Sequence, residues 1–299
     1  MKRLLVVGST NTDMVIKTAN LPRPGETVLG GVFFMNAGGK GANQAVAAAR
    51  LGATVTFVCK TGNDIFGQQS RQLFIEEGID TGYVFSDPEH PSGIALITVD
   101  AQAENCIAVA SGANAFLFPY DLKNASIAIE QSDIVLMQLE IPMETIEFVA
   151  GIARTQGKTV ILNPAPAQPL SNGLLQCVNI LTPNETEASM ISGIPVTDLI
   201  SAYKAARTIC GMGVQTVIIT LGAKGALIYT DEFQEEIPAE KVEAIDTTAA
   251  GDVFNGALAV ALSENKNIRD AVRFACKAAS ISVTRIGAQA SAPYRNELN

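Results

Sequence analysis

The residues with the clearest chemical potential stand in the run Asp246-Thr247-Thr248-Ala249-Ala250-Gly251-Asp252-Val253-Phe254-Asn255-Gly256-Ala257. Small residues, Ala249, Ala250 and Gly251, lead into apolar positions at helical spacing: Val253, Phe254, Ala257, Leu258, Ala261 and Leu262. The first backbone N–H groups of a helix have no partner within it. Together with the helix dipole they form a site for an anion, and small side chains let a ligand come close. A carboxylate at the same point, Asp252, can accept a proton from a hydroxyl. A base beside an anion cradle is what phosphoryl transfer to an alcohol requires. The commoner role of an aspartate ahead of an apolar helix is an N-cap. A carboxylate stabilised by the dipole is also a weaker base. It would orient the hydroxyl and take its proton late, which suits a loose transition state.

Further polar groups stand at the ends of apolar runs. Leu4-Leu5-Val6-Val7 reads as a buried parallel strand, and the pattern Gly8-x-x-Asn11-x-Asp13 follows it. That places Asn11 and Asp13 in a polar turn beyond the strand's C-terminal end, where ligands sit in open α/β sheets. An ordinary Asx-rich turn is the plainer alternative. Asn36-Ala37-Gly38-Gly39-Lys40-Gly41-Ala42-Asn43-Gln44 then opens a helix that Gly52 ends. Its glycines free the backbone for a ligand, and Lys40 and Asn43 supply donors. It is not a Walker A loop. Glu140 follows the strand Ile134–Leu139 and is either a ligand group or a strand-end residue. Asn184-x-x-Glu187 follows Ile180-Leu181-Thr182, with Glu187 open to reading as a first-turn carboxylate that answers the dipole. The strand Thr216–Leu221 runs into Gly222-Ala223-Lys224-Gly225.

The elements that must position these groups alternate. Strands at Val55–Val58, Ile134–Leu139, Val160–Leu162, Ile180–Thr182 and Thr216–Leu221 are separated by helices such as Asp64–Glu77 and Glu144–Gln156. That order implies a mainly parallel sheet covered by helices on both faces. Residues 14–36 break the pattern: Met14-Val15-Ile16 is short, Leu21–Thr27 is a turn, and Val28–Met35 has strand composition. Gly93–Val99 and Asn105–Ala110 read as a hairpin turning at Asp100–Glu104. We expect residues of about 14–36 and 92–110 to form a small β-sheet lid on a single α/β domain spanning 1–299, since no linker or repeat divides the chain.

Composition narrows the function classes. At 47% hydrophobic and 17% charged residues, the 299-residue chain can bury a large core and is not disordered. A net charge of −9 argues against nucleic acid or an anionic membrane as the main partner. The cysteines Cys59, Cys106, Cys177, Cys210 and Cys276 have wide spacing and no CxxC pair, which fits a reduced, cytoplasmic protein. Met1-Lys2-Arg3 precedes only a short apolar run, so the start reads as a first strand rather than a signal peptide. No apolar run is long enough to span a bilayer. His90 is the only histidine and lies in the loop Asp87-Pro88-Glu89-His90-Pro91, which leaves little basis for a histidine base or a histidine-rich metal site.

Taken in order, these motifs resemble those of the ribokinase-like carbohydrate kinases over essentially the whole chain: the Asn11–Asp13 turn, the Gly38–Ala45 run, Asn184-x-x-Glu187 and Asp246-Thr-x-x-x-Gly251-Asp252. The resemblance implies a three-layer α/β/α fold with a small β lid. It implies a sugar site of Asn11, Asp13, Gly39, Lys40, Gly41, Asn43, Glu140 and Asp252, with Asp252 as base and Ala249, Ala250 and Gly251 as anion hole. It implies an ATP site of Asn184, Glu187, Thr220, Gly222, Lys224, Gly225, Gly251 and Cys276, with Glu187 organising hydrated Mg²⁺. It implies a K⁺ site on Asp246, Thr248, Ser282, Arg285, Gly287 and Ser291. Cys276 departs from the family, which often has His or Asn near the adenine, and puts nucleotide affinity in doubt. The Gly38–Ala45 run favours D-ribose as acceptor, phosphorylated at its 5-hydroxyl. The alternatives are a nucleoside, fructose or a keto-sugar acid, or a sugar or nucleotide sensor without turnover. Phe33, Phe34 and Met35 could roof a nucleoside base. Exposed lid strands suggest a homodimer.

Overall fold

The computed structural model describes residues 2–102, 104–123 and 125–298. Met1 and Ala103, which fall in the expected chain start and hairpin turn, lie outside them. The chain begins with β1 (Leu4–Val7), β2 (Asn11–Lys17), β3 (Val32–Gly38), α1 (Lys40–Arg50), β4 (Val55–Gly62), α2 (Ile65–Glu76) and β5 (Asp80–Asp87). It continues with β6 (Gly93–Val99), β7 (Asn105–Ala110), α3 (Ser126–Gln131), β8 (Ile134–Met137), α4 (Met143–Thr155), β9 (Thr159–Leu162), α5 (Asn172–Leu175), β10 (Ile180–Leu181) and α6 (Glu185–Ser192). It closes with α7 (Leu199–Gly211), β11 (Thr216–Thr220), β12 (Ala226–Thr230), β13 (Gln234–Ile237), α8 (Ala250–Ser263) and α9 (Ile268–Ser282).

Among the described residues the main sheet has the order β13-β12-β11-β10-β9-β8-β1-β4-β5. Its pairs from β11 to β5 are parallel, and β12 and β13 add an antiparallel edge. Side chains alternate across a strand, so each central strand feeds two cores. Leu4 and Val6 pack with α1, α8 and α9, while Leu5 and Val7 pack with α4 and α7. Both faces are therefore covered, as parallel strands require. All of the parallel strands present their C-terminal ends to the same edge of the molecule, and the polar motifs gather there.

A second sheet has the order β3-β2-β6-β7. The register sorts its side chains into two faces. Ile16 faces Phe33, and Met14 faces both Met35 and Leu96, which puts these residues on one side. Val15 faces Phe34 and shares the other side with Asp13. Of the three residues that could roof a nucleoside base, only Phe34 is thus on the face of Asp13.

The structure corrects several local expectations. Asn11 and Asp13 are not in a turn but at the start of β2, where the backbone pairs with β3 and β6 on both sides. Asn36, Ala37 and Gly38 end β3 instead of opening a helix, and α1 begins at Lys40. The strand expected at Val28–Met35 is shifted to Val32–Gly38. Strands β5, β12 and β13 were not expected at all. Asp252 is not an N-cap: the cap position is Ala249, and Asp252 is three residues further on.

Candidate active site

The start of α8 has an unusual backbone. Ala249 is left-handed, with φ 59°, and no side chain caps the helix. A left-handed alanine costs roughly 1–2 kcal/mol. The N–H of Ala250 bonds to Thr247 O (3.3 Å), and Thr248 N donates to Asp246 Oδ1 (2.9 Å). A Cβ on Gly251 would meet no protein atom within 4 Å. Glycine there keeps space clear above the backbone, on the open side where an anion can approach.

Asp252 is only 5% exposed. Its Oδ2 accepts from Asn43 Nδ2 and its Oδ1 from Gln44 Nε2, both at 2.9 Å. Burial pushes its carboxyl above the ordinary value. Lys40 and the two amides oppose that push, and Glu140 adds to it. A carboxyl raised in this way holds a proton more tightly than an exposed one.

Lys40 stands among the carboxylates Asp252, Glu140, Glu187 and Asp13. Burial would lower its pKa, but their combined charge outweighs burial and raises it, so Lys40 is a cation. Asp13 is raised to about 6, by burial first and then by Glu140 and Asp252, with Lys40 opposing. Glu140 Oε2 accepts from Ser9 Oγ (2.6 Å) and from Lys40 N (3.0 Å), the first N–H of α1. Gly39 has φ 87°, and a Cβ there would come within 2.7 Å of Asn11 N, so this loop lies directly on the start of β2. Asn11 Oδ1 accepts from Asn114 Nδ2 (2.8 Å), which also donates to Thr10 O (3.0 Å).

The cleft next to these groups measures about 780 Å³. Lys40, Asn184, Glu187, Thr220, Gly222, Gly225, Gly251, Asp252 and Cys276 line it. Asn184 and Glu187 form a capping box on α6: Glu187 N donates to Asn184 Oδ1, and Asn184 N donates to Glu187 Oε2, each at 2.8 Å. Glu187 is therefore a first-turn carboxylate and a cleft residue at once. Burial raises its pKa most, Asn184 N–H and Lys40 oppose, and Asp252 adds. Part of the cleft lining is apolar, with Val242, Ala244, Cys276, Ala279 and Val283. Burial pushes the Cys276 thiol up to about 12, so it packs as a neutral group. Lys224 lines an adjoining cavity of about 240 Å³ with Asp198, Glu236 and Glu185, and Glu185 also borders the cleft.

Asp246 ties two segments together: its Oδ2 accepts from Gly287 N (2.9 Å). Burial pulls its pKa up, but the N–H groups of Gly287 and Thr248 hold it below the ordinary value. The Arg285 guanidinium turns to Glu297. Among the described residues no group of three or more His, Cys, Asp or Glu side chains could hold a metal directly.

Sequence reasoning missed Ser9, Asn114, Gln44, Gln138, Asn163, Thr182 and Asn255, which hold the named residues in place. Gln44 and Asn255 stood inside the quoted runs without being given a role. The others are single polar residues at strand ends or, for Asn114, in a short 3-10 helix, and their types were the only available signal.

Comparisons with known proteins show the family to which the chain is similar. Residues 1–295 match the description pfkB family carbohydrate kinase. A ribokinase of Haemophilus influenzae is 48% identical over 296 residues, covering 99% of this chain and 97% of the relative. A ribokinase of Staphylococcus aureus is 42% identical, covering 99% and 98%. The solved structure of Arabidopsis thaliana ribokinase complexed with ribose and ATP superposes with a TM-score of 0.94 at 33% identity, covering 99% of this chain and 97% of that one.

Proposed function

The chain belongs to the pfkB family of carbohydrate kinases, and from that premise we propose that it transfers the terminal phosphoryl group of ATP to the 5-hydroxyl of D-ribose. Phosphorylation of ribose by ATP follows from the likeness to ribokinases. The 5-position follows the family resemblance, and the part given to each residue is our reading of the site. The observation that carries the reading is the setting of Asp252. It is buried, bonded on both oxygens, and placed beside the uncapped backbone of Ala249–Gly251 in the same cleft as Asn184, Thr220 and Gly222.

In this reading Asn11, Asp13, Gly39, Lys40, Gly41, Asn43 and Glu140 hold the sugar. Carboxylates and amides take hydroxyls in pairs, and Lys40 donates. Buried polar groups of this kind reject an analogue that lacks the matching hydroxyl. Asp252 accepts the proton of the attacking hydroxyl as the oxygen–phosphorus bond forms. The N–H groups of Ala250, Gly251 and Asp252 stabilise the charge that develops on the phosphoryl oxygens. The nucleotide lies along Asn184, Thr220, Gly222 and Gly225, with its base against the apolar lining that includes Cys276. Lys224 would reach it only by turning from its own cavity.

Magnesium bound with the nucleotide would neutralise phosphate charge, its waters organised by Glu187. An ion that keeps its hydration shell needs few protein ligands. Potassium would sit on oxygens of Asp246, Thr248, Ser282, Arg285, Gly287 and Ser291, mostly carbonyls, and steady the Ala249–Gly251 turn. The bond between Asp246 and Gly287 N supports that grouping. The second sheet, about residues 14–36 and 92–110, acts as a lid on one 1–299 domain. Its outer face shows Phe33, Met35 and Leu96, each about half exposed, which supports a homodimer through the lid. Five free cysteines support a cytoplasmic location.

The test is ADP release with D-ribose, adenosine and fructose, each in potassium and in sodium. Turnover on ribose, faster in potassium, is expected. Turnover on adenosine or fructose without ribose would refute the sugar assignment. Equal rates in both salts would refute the cation site.

A further inference from the structure

A chain of buried polar side chains runs beneath the start of α8, and both of its ends reach the first turn of that helix. Gln44, on α1, is fully buried. Its Nε2 donates to Asp252 Oδ1 (2.9 Å) and to Asn163 Oδ1 (3.0 Å), and its Oε1 accepts from Gln138 Nε2 (2.6 Å). Asn163 Nδ2 donates to Thr182 O (3.2 Å). Thr182 Oγ1 donates to Asn255 Oδ1 (2.6 Å), and Asn255 Nδ2 donates to Gly251 O (2.8 Å).

The chain has one sense. A glutamine amide offers two N–H groups and one carbonyl, and Gln44 uses all of them. Turned over, its carbonyl would face the Asp252 carboxylate and the Asn163 carbonyl, and its NH₂ would face the NH₂ of Gln138. Gln138 is also fully buried, so no solvent competes for the anchor. The other partner of Asp252 differs: Asn43 keeps a buried Oδ1 without a partner, free for a ligand. Gln44 has no free group and holds the carboxylate whether or not a sugar is bound.

We propose that Gln44, anchored by Gln138, is a positioning residue for phosphoryl transfer. It fixes the rotation of the Asp252 carboxylate and keeps it in the accepting form, leaving the remaining lone pairs of Asp252 for the substrate hydroxyl. The inference rests on Asp252 being the base. The charged groups that face Asp252 are Lys40 on α1, Glu140 beyond β8, Asp13 on β2 and Glu187 on α6. Against that fixed background, losing one donor removes support for the ionised form.

The test compares Gln44→Met, Gln44→Glu and Asp252→Asn with the wild type, at saturating ribose and MgATP across pH, with thermal unfolding as a check on folding. Gln44→Met keeps the volume and loses the donors; Gln44→Glu sets a second carboxylate against Asp252. In both, kcat falls about 10- to 100-fold while KM for ribose and ATP stays within a factor of about three. The acid limb of the kcat profile moves up by about one pH unit or more, furthest in Gln44→Glu. A merely structural role would not move that limb, so a folded Gln44→Met with a wild-type kcat profile overturns the inference. If the Gln44 variants do not fold, Gln138→Met is judged by the same two criteria. Asp252→Asn separates the two levels. If it keeps turnover, the base assignment fails and this inference with it. If it loses turnover while the folded Gln44 variants behave as wild type, only this inference fails.

Discussion

At the scale of single residues the site is a balance of burial against charge. Four carboxylates, Asp13, Glu140, Glu187 and Asp252, surround the cation Lys40. Asp13 shows the consequence most plainly, because its pKa is raised to about 6. It must be ionised to accept a pair of sugar hydroxyls. Ribose affinity measured by calorimetry should therefore weaken as pH falls through about 6, and Asp13→Asn should flatten that dependence while weakening binding throughout. For stability the sign is opposite. A raised carboxyl binds its proton more tightly in the folded state, so this group's contribution declines as pH rises from 3.8 toward about 6. Asp13→Asn should accordingly raise the melting temperature at neutral pH. The residues proposed to meet ligand were picked out in the sequence because they stand in short motifs with fixed spacing. Their supports were not. Asn114 reaches Asn11 across 103 positions and Gln44 reaches Asp252 across 208, and no local pattern announces such a pair.

At the scale of elements the parallel core was legible because continuous apolar runs ending in polar motifs admit few other readings. Strands β5 and β13 were not, since Asp80-Thr81-Gly82 and Gln234-Glu235-Glu236 read as polar loop and become strands only by pairing with β4 and β12. Asn11 and Asp13 were misplaced for a related reason: a polar stretch can be strand when two neighbours take its backbone bonds. The joint between the two sheets offers a separate test. Asp64 caps α2 by accepting from Gly67 N (2.8 Å), and its other oxygen accepts from Ser92 N (2.7 Å), just before β6. Burial resists its ionisation, but the donors of Ser92 and Gly67 outweigh it and lower its pKa. Asp64→Ala should cost about 1–2 kcal/mol by urea unfolding at neutral pH. That cost should shrink as pH falls below 3.8, where the carboxylate protonates. An unchanged unfolding midpoint would refute the role.

At the scale of the whole molecule, a covered α/β body carries the chemistry and the small sheet leaves an apolar face open. Leu96 and Phe33 lie on that outer face, 52% and 58% exposed. Sedimentation of the wild type should give twice the 31.4 kDa chain mass, and Leu96→Glu with Phe33→Glu should give the monomer. A monomeric wild type at working concentration would remove the lid interface from the account. The central claim is that this body transfers phosphate to ribose with Asp252 as the base. The most direct measurement is kcat on ribose for Asp252→Asn, alongside ribose affinity by calorimetry. The account predicts a loss of about 10²- to 10⁴-fold in kcat with affinity nearly kept. Turnover within a few-fold of wild type would contradict it.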